Sequence, residues 1–488
     1  MRVAIAGGGL QGVELCWLAR KAGWETLLVD RRPAPPALRL ADGFVQADVT
    51  RLEAEGREAA ERMAGADIVI PALEDAAALE ALGAWCARRG LPFAFDPEAY
   101  AVTASKLRSR ELFLRCGTPI PRPFASGEPQ GPARNRGCAV QDAGESPNRS
   151  VVPGADQGPA SDTPHAAPAN ACGSSLWRLG RPGHAEDGNV ERGAPQGPGE
   201  TDSLRPDAAP PRALACRDAG EGLLSGPGTG GFPLIVKPSA GSGSRGVRLI
   251  RDAAEWAGLL AEGFDPQGWI VESWCPGPSY SLEICGTPGH YRVFQVTGLL
   301  MDEVFDCRGV LAPSDAPPAA IREMEAELLK LAEALRLRGL MDLEVILAPD
   351  GLRVLEIDAR FPSQTPTAVW LSTGWNLAEY LVSCFIPYEP APGWESPRCV
   401  RYEHVCRTED GEIVCRGEHV MAGAGPLEGL RDFFGADEAL LGGDFPSGAW
   451  AATLMFHGAT PEEVEARRDA CLACLRAASR GDGHHKTP

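Results

Sequence analysis

The sequence lacks any run approaching 18 apolar residues, so no membrane-spanning helix is expected. The apolar part of the N-terminus, MRVAIAG, is too short for a signal peptide, and we therefore expect a cytoplasmic protein. A basic excess is also missing, because 47 Lys and Arg face 66 Asp and Glu, for a formal net charge of −19. A general nucleic-acid or anionic-membrane binder would need a basic face, so we expect neither partner.

The fifteen cysteines have no repeated spacing, so we expect most of them to be small buried hydrophobes of a cytoplasmic protein. The one close pair, Cys471 and Cys474, lies late in a helical pattern. It has no second pair and no nearby His spacing, which does not favour a redox or zinc role.

The 488 residues, of which 44% are hydrophobic and 23% charged, suffice for two to four globular domains. Strand and helix patterns alternate at the start, which predicts a small parallel α/β unit. A middle stretch is crowded with Gly, Pro, Ala, Ser and Asp and has no apolar period, so we predict a disordered insertion. The flanking sequence returns to dense α+β patterning, with an amphipathic helix over 319–338.

The predicted N-terminal strands cover residues 3–6, 25–29, 67–70 and 92–95, and the predicted helices cover 10–22 and 76–89. The predicted units are an α/β domain over 1–96, a second domain over 97–125 and 230–390, the insertion over 126–229, a C-terminal α+β domain over 391–480, and a tail over 481–488.

The most informative stretch covers residues 339–367. A Pro-Asp-Gly turn signal separates two alternating, branched-rich runs there, which predicts a β-hairpin. With the turn centred on the Asp, Glu344 lies opposite Glu356 and Asp342 lies opposite Asp358. Directly opposed side chains are roughly 5 Å apart on one face of a sheet. The hairpin therefore gathers carboxylates on one face while its other face is apolar.

Carboxylates at that separation repel each other unless cations lie between them. Hard oxygen ligands with room for phosphates suit Mg²⁺, so we predict a metal site on these carboxylates. Arg360 continues the same face and suits a phosphate oxygen or a developing oxyanion, which makes it the predicted catalytic residue. The alternative, a solvated charged strand face, explains one such residue better than this whole group.

A second motif combines a strand over 232–237, ending in Lys237, with a Gly/Ser-rich turn over 239–246 that leads into another strand. Backbone N–H groups of such a turn can approach phosphates closely, and the Lys supplies a point charge for them. It is not a Walker loop, because the Gly-Lys-Ser/Thr ending is missing, and an ordinary flexible hairpin is the alternative. The predicted cradle residues are Ser242, Gly243 and Ser244. Further on, Glu272 is an acid at the hinge of a strand–turn–strand pattern and could hold an adenine amino group.

The N-terminal letters Gly7-x-Gly9-x-x-Gly12 follow a strand and open a helix, and Asp30 follows the next strand, which completes the dinucleotide fingerprint. An oxidoreductase is therefore a second functional class. A tight strand-to-helix turn needs glycine whatever it binds, and the rest of the chain offers no hydride-transfer site. Ligand binding by this loop is left open. The loop residues are Gly9, Leu10, Gln11 and Gly12.

The order of Lys106, Lys237, the glycine-rich turn, Glu272 and the carboxylate hairpin resembles the ATP-grasp ligases over nearly the whole chain outside the insertion. The resemblance implies an ATP-grasp fold with a Rossmann-like N-terminal domain, a two-lobed ATP clamp and a small C-terminal domain. It implies that two lysines and the glycine-rich turn hold the ATP phosphates. It also implies two Mg²⁺ on Glu344, Glu356 and Asp358, with Asp358 where the family has Asn. Ser279 stands where many members carry a ribose-binding Glu.

Within the family, the letters EIDARFPSQTPT at 356–367 and GLMDLE at 339–344 are similar to those of the branch that acts in pyrrolysine biosynthesis. That resemblance implies that ATP phosphorylates the carboxylate of 3-methyl-D-ornithine and that the ε-amine of L-lysine attacks the acyl phosphate. Both substrates bring ammonium groups, which require fixed carboxylates. The predicted substrate-binding residues are Glu283, Asp302 and Asp306, with Ser281, Ser363 and Gln364 as neutral hydrogen-bonding groups. Another carboxylate–amine ligase of the family is the alternative, and a homodimer is left open.

Overall fold

The computed structural model describes residues 1–124 and 231–479 of the chain. Within these ranges the positions not described are Glu55, Ala240, Ser242, Pro266, Gln267 and Ser447. The predicted insertion over 126–229 and the predicted tail over 481–488 therefore lie outside the described residues.

The N-terminal unit is a four-stranded parallel sheet with strand order β3-β2-β1-β4, as the alternating pattern predicts. Its elements are β1 (Arg2–Ala6), α1 (Leu10–Lys21), β2 (Glu25–Asp30), β3 (Gly43–Gln46), α2 (Arg57–Met63), β4 (Ile68–Pro71) and α3 (Ala76–Arg89).

The fourth strand of this unit was placed wrongly by the sequence pattern. The predicted strand over 92–95 makes only one isolated bridge, from Phe93 to Val69, because the chain turns at once into a helix capped by Asp96. The fourth strand is instead β3, a short edge strand beside β2. Its four residues are too few to show a clear alternation.

A small antiparallel lobe follows, with strand order β6-β5-β7. The elements before and within it are α4 (Pro97–Thr103), α5 (Lys106–Cys116), β5 (Leu234–Pro238), β6 (Arg248–Ile250), α6 (Ala253–Ala261) and β7 (Trp269–Ser273). Phe124 N donates to Val271 O at 3.0 Å, and Trp274 N donates to Pro233 O at 3.0 Å. The two ends that border the undescribed segment thus both pair with β7 or its immediate continuation.

The largest sheet contains the predicted hairpin and has eleven strands, nine of them in the order β13-β12-β8-β10-β11-β14-β18-β17-β16. Its first elements are β8 (Ser279–Thr287), β9 (His290–Val293), β10 (Thr297–Met301), β11 (Cys307–Ala312), α7 (Pro318–Leu335), β12 (Gly339–Ala348), β13 (Gly351–Asp358), α8 (Thr365–Thr373) and α9 (Leu377–Ser383). The remainder are β14 (Cys399–Arg407), β15 (Ile413–Cys415), α10 (His419–Ala422), β16 (Glu428–Phe433), β17 (Ala436–Gly443), β18 (Trp450–Gly458) and α11 (Pro461–Ser479). Pairing of β11 with β14 carries the sheet across the predicted boundary near residue 390.

Helix α7 is the amphipathic helix predicted over 319–338. Met324, Leu328 and Leu331 are fully buried, in a cluster that also holds apolar side chains of β8 and β12. Burying each such side chain stabilises the fold by about 1.5–3 kcal/mol, so this row fixes the back of the hairpin. The polar face of the hairpin is left for the site.

Among the described residues, no helix has both the length and the apolar character that a membrane span requires.

Helix α1 joins the N-terminal unit to the rest of the protein. Trp17 contacts Trp370 of α8 edge-on at 5.2 Å, and Asn376 Nδ2 donates to Leu18 O at 2.9 Å. Glu14 accepts a hydrogen bond from Thr367 N at 2.6 Å, near the start of α8. The glycine-rich N-terminal loop is thereby held next to the segment that follows the hairpin.

Candidate active site

The hairpin of β12 and β13 has the predicted register. Glu344 is paired with Glu356 and Asp342 with Asp358, and a bulge follows Glu344. Asp342 and Asp358 are buried, with less than a tenth of their surface exposed. Four carboxyl groups therefore converge on one face of two neighbouring strands, as the sequence pattern predicts.

These carboxyl groups disfavour ionisation in the absence of a cation. Burial, with repulsion from Glu356, raises the pKa of Glu344 to about 7. Burial also raises the pKa of Asp358 to about 7, although the neighbouring Arg360 opposes this. Burial, and after it repulsion from Asp358, raises the pKa of Asp342 as well. A buried group of hard oxygen donors with too much negative charge fits divalent cations that neutralise it.

Arg360 lies between two carboxylates. Its Nη2 is 2.9 Å from Asp358 Oδ2, and its Nε is 2.9 Å from Glu74 Oε1 of the N-terminal unit. Burial lowers the pKa of Arg360, but these acids raise it by more, so the guanidinium stays charged. Two fixed partners hold its planar fork in one orientation, which suits recognition of a phosphate or an oxyanion.

The first cavity, of about 280 Å³, lies between the small lobe and the hairpin. Lys237 Nζ is 2.6 Å from Glu272 Oε1 in this cavity. Lys106 Nζ is 2.8 Å from Glu356 Oε1 and donates to Gly241 O at 2.6 Å. Both predicted lysines and the predicted hinge acid are thus brought together beside the glycine-rich turn.

The rest of this first cavity suits a flat, apolar ring with a polar end. Its walls include Ile235, Ile346 and Leu355, and Ser279 lies at its edge. Ser244 lines the same cavity and donates to Phe305 O at 2.5 Å. The predicted cradle residue Ser242 lies outside the described residues.

A second cavity, of about 100 Å³, is continuous in its lining with the first, because Glu344 and Glu356 line both. It contains most of the predicted substrate residues. The structure places here Gly243, Ser281, Asp306, Asp358, Arg360, Ser363 and Gln364. Phosphates from the first cavity and a substrate in the second would meet at these shared carboxylates.

Two of the predicted substrate acids are placed differently. Asp302 lines the first cavity and accepts hydrogen bonds from the backbone N–H groups of Val304, Asp306 and Gly417. Glu283 is fully buried beside Asp342 and is not among the cavity-lining residues. Burial raises the pKa of Glu283 to about 7. The structure therefore brings Asp306, rather than Glu283, to the second cavity.

A third cavity, of about 950 Å³ and larger than the first two, lies beside the N-terminal loop. Gly9, Leu10 and Gln11 line it together with Arg360, and Gln11 Nε2 donates to Glu74 Oε1 at 2.8 Å. A Cβ at Gly12 would lie 2.2 Å from Gly7 O, so Gly12 serves close packing of helix on strand.

The acid of the dinucleotide fingerprint is already engaged. Asp30 accepts from Gly8 N at 2.6 Å and from the Arg32 guanidinium at 2.9 and 3.0 Å. In the dinucleotide-binding arrangement this carboxylate would take the ribose hydroxyls. Here Asp30 instead stabilises the N-terminal loop through its hydrogen bonds with Gly8 N and Arg32.

Sequence reasoning missed two acids of the site. Glu74 orients Arg360, and Glu418 lines both the second and the third cavity. Neither belongs to a recognisable motif, since Glu74 follows a buried strand and Glu418 lies in a loop of the C-terminal region. No local signal in the sequence singles them out.

The lysine-lined first cavity, the carboxylate hairpin and the adjoining second cavity are the parts that an ATP-dependent ligase of the ATP-grasp class requires. The profile of the ATP-grasp domain matches residues 227–364 of the chain. It is similar to a protein of Methanosarcina barkeri named 3-methyl-D-ornithine–L-lysine ligase, with 28% identity over 97% of both chains.

Solved structures agree on the fold. An L-amino acid ligase from Bacillus licheniformis aligns with a TM-score of 0.54 and 14% identity over 96% of both chains. A biotin carboxylase domain from Hydrogenobacter thermophilus, solved with MgADP, aligns with a TM-score of 0.56 and 12% identity, covering 97% of this chain and 89% of that one.

Proposed function

We propose that the protein joins the carboxylate of 3-methyl-D-ornithine to the ε-amine of L-lysine, with ATP converted to ADP and phosphate, in pyrrolysine biosynthesis. The observation that carries this proposal is the shared lining of the two cavities by Glu344 and Glu356, beside Arg360. Phosphates bound in the first cavity and an amino-acid carboxylate in the second would meet beside these residues. The two proposed substrates are taken from the name of the Methanosarcina barkeri relative, which is similar over 97% of the chain.

ATP would lie in the first cavity. Lys106, Lys237 and the glycine-rich turn, with Ser242, Gly243 and Ser244, would hold its phosphates, while Glu272 and Ser279 would face the nucleoside. The lysines pair with Glu356 and Glu272, so phosphate binding would exchange those ion pairs for ion pairs with phosphate oxygens.

Glu344, Glu356 and Asp358 would hold magnesium, and two ions fit three carboxylates better than one. The raised pKa values of Glu344 and Asp358 are consistent with this, because a cation returns such groups to their ionised form. When bound, magnesium neutralises the β- and γ-phosphates during transfer.

The chain's own residues would do the rest. Arg360, held by Asp358 and Glu74, would stabilise the transferred phosphate and then the oxyanion formed when the amine attacks. Ser281, Ser363, Gln364 and Asp306 would position the substrates in the second cavity. Its small volume and buried walls would keep water from the acyl phosphate.

The test is to incubate the pure protein with ATP, Mg²⁺, D-ornithine and L-lysine and to identify products by mass spectrometry. We expect ADP and a dipeptide-like product whose isopeptide bond involves the lysine ε-amine, and no such product when either amino acid is omitted. Product from other amino-acid pairs only would identify a different amino-acid ligase of the family. An NADH-dependent absorbance change without ADP would favour the oxidoreductase class instead.

A further inference from the structure

Glu418 lies where the second and third cavities meet. It lines both of them, together with Arg360 and Ser363. Among the described residues, Glu418 is the one acidic side chain that lines both of these cavities. Any amino-acid substrate that extends from the acyl phosphate toward the N-terminal loop would pass it.

The side chain of Glu418 is fixed through one oxygen. Its Oε2 accepts from Ser363 Oγ at 2.7 Å and from Gln364 Nε2 at 2.8 Å. Within the described part of the chain, no hydrogen bond to its Oε1 is found. Arg360, the cation of the same cavities, is instead paired with Asp358 and Glu74. One carboxylate oxygen of Glu418 is therefore held, and the other is available to a ligand.

The neighbouring acids hold the backbone that presents Glu418. Asp302 Oδ2 accepts from Gly417 N at 3.1 Å. Asp306 Oδ2 accepts from His419 N at 3.3 Å and is 2.5 Å from His419 Nδ1. A Cβ at Gly417 would lie 2.1 Å from Asp306 Oδ2, so only glycine permits this approach. These contacts fix the backbone on both sides of Glu418, so that its carboxylate lines both cavities.

A half-buried carboxylate with one open oxygen favours a cationic ligand, because an unpaired charge there carries a desolvation cost. Among the described residues, no arginine or lysine forms an ion pair with Glu418, and Arg360, the cation of the same cavities, is paired with Asp358 and Glu74. Amino-acid substrates can supply that cation, since each brings at least one ammonium group. An ammonium that keeps its proton in such an ion pair has no lone pair for attack, so a group bound here in that form is not the nucleophile.

We infer that Glu418 binds a non-reacting ammonium group of an amino-acid substrate and so contributes to substrate selection. This inference rests on the proposed ligase function. Asp302 and Asp306 would in addition position the loop, and Ser363 and Gln364 would in addition orient Glu418.

The test uses Glu418→Gln in the full-length protein, because glutamine can still accept both hydrogen bonds and only the charge is removed. KM is measured separately for D-ornithine, L-lysine and ATP through ADP release. We expect KM for one amino acid to rise about tenfold or more, while KM for ATP changes less than about threefold. Glu418→Asp, which keeps the charge on a shorter side chain, should be intermediate. Glu303→Gln is the matched control, since Glu303 is an exposed acid of the facing loop that pairs with Arg416 and lines none of the three cavities.

Unchanged KM values in Glu418→Gln, or an equal rise for all three substrates, would overturn the inference while leaving the ligase function intact. The same tenfold rise in Glu303→Gln would also overturn it, because the effect would then come from the loop charge in general. A wild-type protein that releases no ADP with any amino-acid pair would overturn the proposed function, and this inference with it.

Discussion

Replacing Glu356 with Gln removes one charge from the hairpin and changes little else. Glu356 lines the first two cavities, and its Oε1 is 2.8 Å from Lys106 Nζ. Glutamine has nearly the same shape and can still accept a hydrogen bond from the lysine. The variant therefore tests the charge rather than the packing.

We expect kcat to fall by about 10²–10³-fold, roughly 2.7–4 kcal/mol, which is the typical effect of removing one preorganised electrostatic group from an active site. Stability should respond differently. The loss of the Lys106 pair is offset by weaker repulsion of Glu344, whose pKa is raised to about 7 partly by Glu356. We expect the free energy of unfolding in EDTA to change by less than about 1 kcal/mol.

The assay follows ADP release with D-ornithine, L-lysine, ATP and a magnesium titration, beside urea unfolding of the same samples. Glu323→Gln, an exposed acid on α7, is the matched control and should behave as wild type. A variant that keeps more than about a tenth of the wild-type kcat, a loss under about 1.4 kcal/mol, would refute the metal-ligand assignment. A large loss of stability would show that the charge serves the fold.

Three further perturbations test other parts of the structure. Burial raises the pKa of Glu14 from 4.5 to about 7, so the native state binds the extra proton and wild-type stability should fall as pH rises from about 4.5 through 7. Glu14→Gln can keep the hydrogen bond from Thr367 N. Its free energy of unfolding relative to wild type should therefore rise by up to about 3 kcal/mol between pH 5 and pH 8. Urea unfolding that gives the same difference at both pH values would contradict this. Asp306→Asn should raise KM for an amino substrate about tenfold or more with little change for ATP, since Asp306 holds the loop that presents Glu418; steady-state kinetics with each substrate varied decides it. Replacing residues 130–228 with a short Gly/Ser linker should preserve folding and ADP release, because Phe124 and Pro233 both pair with β7 or its continuation; an inactive or misfolded product would show that the segment packs or binds something.

The amino-acid sequence by itself determined the local geometry of the site. Strand alternation and one turn signal fix the register of β12 and β13, because a slip of one residue would move every apolar side chain to the wrong face. The carboxylate cluster follows from that register alone. Helix α7 and the parallel N-terminal sheet follow equally from periodicity, whereas the short strand β3 leaves too weak a pattern to be recognised.

Only the tertiary structure decided which distant residues complete the site. Lys106 contacts Glu356, which lies 250 residues later in the sequence, and Glu74, in the loop after β4 of the N-terminal unit, pairs with Arg360. Glu283 shares the sheet face of Asp342 yet is fully buried and lines none of the three cavities, while Glu418 reaches the cavities from a loop of the C-terminal region. Periodicity reports which face of an element is apolar, but it does not report what packs against the polar face. That depends on how α1, the small lobe and the C-terminal strands close around the hairpin, which no local pattern encodes.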